Sequence, residues 1–458
     1  MRRAALTLAL AAVTLLAAAP AHAALPPIKH VFIVILENED ADVTFGPSTK
    51  APYLAQTLRA QGAFVPQYYA TGHLSLDNYI TMVSGQAPNP YTQADAPTFV
   101  DVVPGVIGAD GQAIGQGTVY PATVKTIADQ LNDKGLTWRG YMEDMGNTPG
   151  QPATCRHPAP GAPDQTQQAR ENDQYATRHN PFVYFHSIID DQARCDANDV
   201  PLDRLPADLS TAQTTPSYSF ITPDLCSDAH DEPCVDGTPG GMVAANGFLK
   251  QWIPKILASP AYADGGLVLI TFDEAENHDA DACCDEPPGP NTPNPGGPTP
   301  GPGGGRIGAV FLSDYITPGT VSKDAYNHYS QLRSFEDVFG LPHLGYAAQE
   351  GLRPFGDDIF TNPAGKPLPP VKKPRVKVRG VPRRCVSRRF RVRVKASGSG
   401  VSVVVRIDKR RVRSTRRKKL RFWVSAAHAK PGPHRLRVQV TDRFGRRAGR
   451  SVRFTRCA

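Results

Sequence analysis

Val31-Phe-Ile-Val-Ile-Leu36 followed by Glu37-Asn38, and Gly266-Leu-Val-Leu-Ile-Thr-Phe272 followed by Asp273-Glu274, decide how this chain is read. Both apolar runs have the length and β-branched content of strands buried on both faces, as in a parallel sheet. In open α/β sheets, ligands bind just beyond the carboxyl ends of the strands. Glu37, Asn38, Asp273 and Glu274 are therefore expected to converge on one divalent metal at the rim of a sheet. Oxygen and amide ligands suit Mg²⁺, Ca²⁺ or Mn²⁺, and Zn²⁺ is also admissible. Between the two runs, Gly72-His-Leu-Ser75-Leu-Asp-Asn78-Tyr79 offers a hydroxyl at the start of a helix. A serine there is either an N-cap or a nucleophile, and the same helix terminus attracts phosphate.

The other elements alternate in type. Helices are expected over 51–62, 126–134, 247–258 and 331–339, and strands over 136–141, 216–222 and 306–313. Strands separated by helices predict a doubly wound, mostly parallel α/β sheet. The 216–222 strand runs into Asp224, Asp228, His230 and Asp231, a dense acid/histidine cluster, and His179-Asn180-Pro181 sits in another loop. Residues 285–305 are almost wholly Pro, Gly, Asn and Thr, a composition that predicts a mobile loop bordering the metal-facing acids.

Charge divides the chain. The net value of +8 conceals 32 Lys+Arg against 2 Asp+Glu in residues 366–458, and 19 against 41 elsewhere. The shift begins in a Pro-rich linker, 363–370. Beyond it, residues 389–395, 401–407, 419–424, 434–441 and 451–455 alternate apolar with basic side chains, which predicts a small all-β, immunoglobulin-like sandwich. So basic a face suits attachment to an anionic surface, whether cell-wall polymer or lipid head groups. No nucleic-acid-binding motif accompanies the charge.

The N-terminus carries Met1-Arg-Arg3, an apolar stretch and Ala21-His-Ala23, the pattern of a secretory signal peptide. The expected organisation is leader 1–23, catalytic region 24–362, linker 363–370 and basic β-domain 371–458. The mature protein is expected outside the cytoplasm, with no transmembrane segment. Eight cysteines fit that oxidising setting. Cys385 with Cys457, Cys226 with Cys234 and Cys155 with Cys195 are the expected pairs. Cys283-Cys284 stays open between a vicinal disulfide, two separate links and a metal pair.

Six segments, taken in order, carry a family resemblance: Lys29 to Asn38, His73-Leu-Ser75-Leu-Asp-Asn78-Tyr79, His179-Asn-Pro-Phe182, Thr222 to Asp231, Thr271-Phe-Asp273-Glu274 and Tyr326-Asn-His-Tyr-Ser330. Over roughly 28–360 the chain resembles the bacterial phosphoesterase family of secreted acid phosphatases and phospholipases C, within the alkaline-phosphatase-like superfamily. The resemblance implies that fold, and a divalent metal held by Glu37, Asn38 and Asp273 with Glu274. It implies Ser75 as the nucleophile, forming a phosphoserine that water then hydrolyses. His179 and His230 would hold phosphate oxygens or protonate the leaving group, and Asn78 would contact phosphate. The short Ser-x-x-Asn-Tyr form resembles the acid phosphatase branch, so the implied activity is hydrolysis of phosphate monoesters, phosphoinositides among them. Two alternatives stand beside it. One is a phospholipase C acting on lipid diesters, and the other a non-enzymatic surface protein working through its basic C-terminal domain. Where the fuller family motif continues with Arg-Ser-Phe-Asp, this chain has Glu39-Asp-Ala-Asp42.

Overall fold

In the computed structural model, which describes residues 25–426 and 429–458, the strands His30–Leu36 and Gly266–Phe272 lie side by side in the middle of an eight-stranded sheet. All seven residues of each are buried. Successive strand residues point to opposite faces, so runs this apolar are stable only where both faces are covered. The strand order is Thr320–Val321, Ala63–Val65, Ala309–Ser313, Gly266–Phe272, His30–Leu36, Tyr218–Thr222, Trp138–Met142, Asp199–Pro201. His30–Leu36 pairs in parallel with both neighbours, Leu36 opposite Phe272 and Val34 opposite Ile221. The strand expected at 306–313 is present as Ala309–Ser313, but it runs antiparallel to Gly266–Phe272 and to Ala63–Val65. The sheet is therefore mixed and mostly parallel.

The helices Ser75–Ser84, Ile127–Asp133 and Gly241–Leu257 fall between strands of this sheet along the chain, and His328–Phe339 follows its last strand. Thr126 and Asp129 start the second of them with a reciprocal capping box, which satisfies two amides at the helix end. The 51–62 helix shrinks to a six-residue π-helical segment, Tyr53–Leu58. Residues 285–305 contain no helix or strand, as their composition requires. They are not free, however, because their glycines let the backbone approach other backbone closely and bond to it.

Past the linker, a second apolar cluster forms around Val392, Val394, Val403, Val405, Leu436, Val438 and Val440. It draws on a three-stranded sheet of Arg375–Arg379, Phe390–Ser397 and Lys419–Val424, and on a four-stranded sheet of Arg410–Thr415, Ser402–Ile407, Gly432–Thr441 and Arg447–Arg456. The strict in-out alternation of Phe390–Ser397 puts its apolar side chains in this cluster and its basic ones in water. Four disulfides are formed: Cys155–Cys195, Cys226–Cys234, the vicinal Cys283–Cys284, and Cys385–Cys457. The leader expected at 1–23 lies outside the described residues. No described helix is long and apolar enough to cross a membrane.

The centre of the large sheet should dominate stability. Leu269 is fully buried between Ile33 and Phe311 on the neighbouring strands. Leu269→Ala is expected to cost about 2–5 kcal/mol, read as a lowered midpoint of denaturant unfolding. A change under about 0.5 kcal/mol, as at an exposed position, would show that this sheet is not the core.

Candidate active site

Glu37 and Asp273 follow the ends of two adjacent parallel strands, and the register Leu36 opposite Phe272 makes them neighbours. The ladder runs one step further, since Asp273 N donates to the Leu36 carbonyl at 2.8 Å. Glu37 N donates to the Asp228 carbonyl at 2.8 Å, which ties the acid cluster after Tyr218–Thr222 to the same edge. Asn38 turns the chain away with φ +53°. Its backbone N–H donates to Asp273 Oδ1 (3.0 Å) and its amide to Glu37 Oε2 (3.2 Å).

Ser75 is the first residue of its helix. The N-cap is Leu74, which has no capping side chain, while Asp95 Oδ1 accepts from Leu76 N in the first turn. Ser75 Oγ donates instead to Glu37 Oε2 at 2.8 Å. The capping reading of Ser75 therefore falls away. Tyr79, one turn further on the same helix face, donates its hydroxyl to Glu37 Oε1. The Tyr79 ring stacks on His179, with centroids 5.3 Å apart and planes inclined by 10°. That stacking holds His179 Nε2 3.4 Å from Glu37 Oε2 and Nδ1 3.9 Å from Asp228 Oδ2.

Three carboxylates, Glu37, Asp228 and Asp273, are thus buried together. Burial first, and then the charges of Asp273 and Asp228, hold Glu37 well above the usual carboxylate range. Burial likewise raises Asp228 and Asp273. Asp228 Oδ2 and Asp273 Oδ2 have no hydrogen-bond partner, and neither does either ring nitrogen of His179. Crowded, dry, unpartnered oxygens are the setting a hard divalent cation relieves. Glu37, Asn38 and Asp273, with the Ser75 hydroxyl beside them, fit such an ion. Among the described residues, only Cys155, Cys195 and Asp199 bring three His, Cys or acid ligand atoms within 4.8 Å of one another, and both sulfurs there are committed to a disulfide.

The two histidines differ in state. Burial, then Arg178 and His230, push His179 well below its ordinary value, so it is neutral. His230 is open to solvent, its side chain 54% exposed, and lies 3.2 Å from Asp231. The hydrogen bond to Asp231 raises it, outweighing desolvation, with Asp228 adding to the rise. Proton donation therefore suits His230, and a neutral contact suits His179.

Two expected site residues have other tasks. Asn78 is fully buried, and its amide is consumed locally. Its Oδ1 accepts from Thr71 N (2.9 Å), Thr71 Oγ1 (3.2 Å) and Gly72 N (3.1 Å), while Nδ2 donates to the carbonyls of Gly72 (2.8 Å) and Leu74 (3.1 Å). It shapes the turn before Ser75 and has no group left for phosphate. Glu274 pairs through Oε2 with the His73 ring. Asp228 was legible from the sequence only as part of the acid/histidine cluster, and Tyr79, His73, Arg178 and His328 carried no expected role. Tyr79 was legible, because it stands four positions after Ser75. His328 was not; its Nε2 meets the Asp273 carbonyl at 2.7 Å across 55 residues of chain. One open cleft of the molecule lies elsewhere, between Leu25–Pro27 and 353–357. Chemistry rather than concavity marks this site.

The sequence profile described as the Phosphoesterase family matches residues 47–342. The probable acid phosphatase of Kluyveromyces lactis is 26% identical over 320 residues, covering 69% of this chain and 59% of that protein. The phosphate-repressible acid phosphatase of Penicillium chrysogenum is 27% identical over 310 residues, with 68% and 58% covered. The phosphatidylinositol-3-phosphatase of Mycobacterium tuberculosis is 24% identical over 327 residues, with 71% and 82% covered. The chain thus spans less than two-thirds of the length of these fungal relatives. Among solved structures, the lipoteichoic acid synthase LtaP of Listeria monocytogenes aligns with TM-score 0.38 at 12% identity, over 72% of this chain and 75% of that one.

The buried acids carry a pH consequence. Glu37 binds its proton more tightly folded than unfolded, where its value is about 4.3. Its contribution to stability is therefore full below that pH and is lost as pH rises through the folded value. Glu37→Gln removes the loss. In chelator, the variant is expected to melt above wild type at pH 7, with the gap closing as pH falls toward about 4. A gap that does not vary with pH, or a variant that melts lower at pH 7, would contradict this account.

Proposed function

The chain belongs to the Phosphoesterase family, and from that premise we propose that it is a metal-dependent hydrolase of phosphate monoesters with Ser75 as its nucleophile. The observation that carries the reading is the bond from Ser75 Oγ to Glu37, at a helix start ringed by buried acids. In the proposed reaction Ser75 Oγ bonds to phosphorus as the bond to the leaving oxygen breaks. The hydroxyl proton passes to the Glu37 carboxylate it already meets, and the leaving oxygen takes a proton from His230. Water then hydrolyses the phosphoserine. Glu37, Asn38 and Asp273 would hold the cation, which supplies neutralisation of charge on the phosphoryl oxygens. Neutral His179, with Arg178 next to it in the chain, would orient those oxygens. The relative named phosphatidylinositol-3-phosphatase favours phosphorylated inositol head groups among the substrates. Four disulfides support an exported protein.

The test is turnover of nitrophenyl phosphate, its diester and a phosphatidylcholine analogue, with and without chelator. Monoester hydrolysis is expected, falling by at least about 10³-fold in Ser75→Ala and lost on metal removal. Turnover confined to the diester or lipid would move the chain to phospholipase C chemistry. Ser75-independent turnover would discard the assignment.

A second reading concerns the basic strands, proposed as an immunoglobulin-like sandwich over 371–458 that rests on anionic lipid head groups. Lys377, Lys395 and Lys419 stand in one row across the three-stranded sheet, and Arg379, Arg393 and Arg421 in the next. Like charges directly opposite one another repel, and an anionic surface removes that repulsion. Trp423, exposed beside Arg389 at 4.9 Å, adds an interfacial aromatic group. Full-length protein is expected to sediment with phosphatidylserine vesicles at low salt and to be released as salt rises. The Arg379→Ser/Arg393→Ser/Arg421→Ser variant should bind more weakly. Equal binding by that variant would exclude this face.

A further inference from the structure

Residues 294–305, which lack helix and strand, run between the two halves of the candidate site. On one side they hold the segment that leads to Ser75. His73, two residues before it, donates its backbone N–H to the Pro295 carbonyl at 3.0 Å. Gly304 N donates to the Ala70 carbonyl (3.2 Å), and Ala70 N to the Gly305 carbonyl (3.0 Å). On the other side, Ala275 N donates to the Gly304 carbonyl at 2.9 Å, immediately after Asp273 and Glu274. The Gln93 side-chain amide meets the carbonyls of Asn294 and Pro295, both at 2.9 Å. Two residues on, Asp95 Oδ1 accepts from Leu76 N at 2.9 Å, in the first turn of the Ser75 helix.

The segment also holds its own shape. Asn294 Oδ1 accepts from Gly301 N (3.0 Å), and its Nδ2 donates to the Gly297 carbonyl (2.7 Å). Two glycines are required by close approach. Gly297 has φ +58°, and an added Cβ would overlap the His73 carbonyl oxygen. At Gly304 it would overlap the Gly72 carbonyl oxygen. These are backbone-on-backbone contacts, with no flexible side chain to yield.

We infer that residues 294–305 form a strap that positions the nucleophile segment 70–75, with Gly297, Gly304 and Asn294 as positioning residues. The inference rests on Ser75 being the nucleophile. In-line attack requires Oγ to be placed within a fraction of an ångström, and a shift of about 1 Å costs roughly 10²-fold in rate. The strap sets the Ser75 backbone without touching substrate. Glu37 and Asp273 directly follow paired sheet strands, and their backbone amides bond to Asp228 and Leu36 rather than to residues 294–305. Disturbing Gly297 therefore slows the chemical step and leaves ground-state binding in place, which separates kcat from KM.

The experiment measures kcat and KM on nitrophenyl phosphate, with melting midpoints, for the full chain and four variants. Gly297→Ala drives a Cβ into the His73 carbonyl. Gln93→Ala removes two hydrogen bonds and adds no atoms, so it decides the matter if Gly297→Ala does not fold. Pro298→Ala changes an exposed residue of the same segment, and Ser75→Ala tests the premise. Gly297→Ala is expected to lose roughly 10- to 100-fold in kcat with KM unchanged, Gln93→Ala to lose less, and Pro298→Ala to match wild type. Unimpaired kcat in Gly297→Ala and Gln93→Ala, against a Ser75-dependent wild type, overturns the strap alone, as does a rise in KM at constant kcat. Turnover retained by Ser75→Ala overturns the functional reading and the strap with it.

Discussion

The pairing of His30–Leu36 with Gly266–Phe272 is the constraint on which the candidate site depends. Parallel strands in register end at the same level, so the residues that follow them are neighbours however far apart they lie in the chain. Leu36 opposite Phe272 thus brings Glu37 against Asp273 across 236 positions. Seven consecutive parallel pairs, from His30 opposite Gly266 to Leu36 opposite Phe272, hold that register. The polar groups at the strand ends inherit the rigidity of the apolar core.

That rigidity makes an unfavourable cluster tolerable. Glu37, Asp228 and Asp273 stand in a dry environment that raises each of them, with donors from Ser75, Tyr79 and Asn38 only partly compensating. Such a grouping destabilises the folded chain at neutral pH unless a cation or a proton relieves it. Strain of this kind persists where surrounding packing over-determines it, and it tends to collect at functional sites. The acids are thus coupled to the core twice: the core positions them, and its stability offsets their repulsion.

Legibility in the sequence followed the same physics. The two apolar runs, the acids after them and Ser75 could be read directly, because each is a local pattern. The antiparallel turn of Ala309–Ser313 could not, since a short buried strand reads the same in either direction. Arg410–Thr415 has no buried residue and so carries no apolar period to detect, whereas Arg375-Val-Lys-Val-Arg379 alternates but was absent from the expected strands. Asn78 and Glu274 sit in the right motifs yet serve neighbouring groups, because hydrogen-bond partners are set by three-dimensional proximity. The state of the two histidines was equally hidden: one is buried and the other open, a distinction no spacing encodes.

Residues 285–305 show how far composition can mislead about order. A run of Pro and Gly excludes regular structure, and from sequence that looks like freedom. Proline limits the backbone states available before folding, however, and glycine allows contacts that any side chain would block. Together they suit a segment that must thread a narrow path and bond by its backbone alone. The contacts of Pro295, Gly297 and Gly304 with residues 70–73 are of that kind. A helix or a central strand could not replace them, because its amides and carbonyls would already be engaged in its own ladder. The absence of secondary structure is what leaves this backbone available to hold the turn before Ser75.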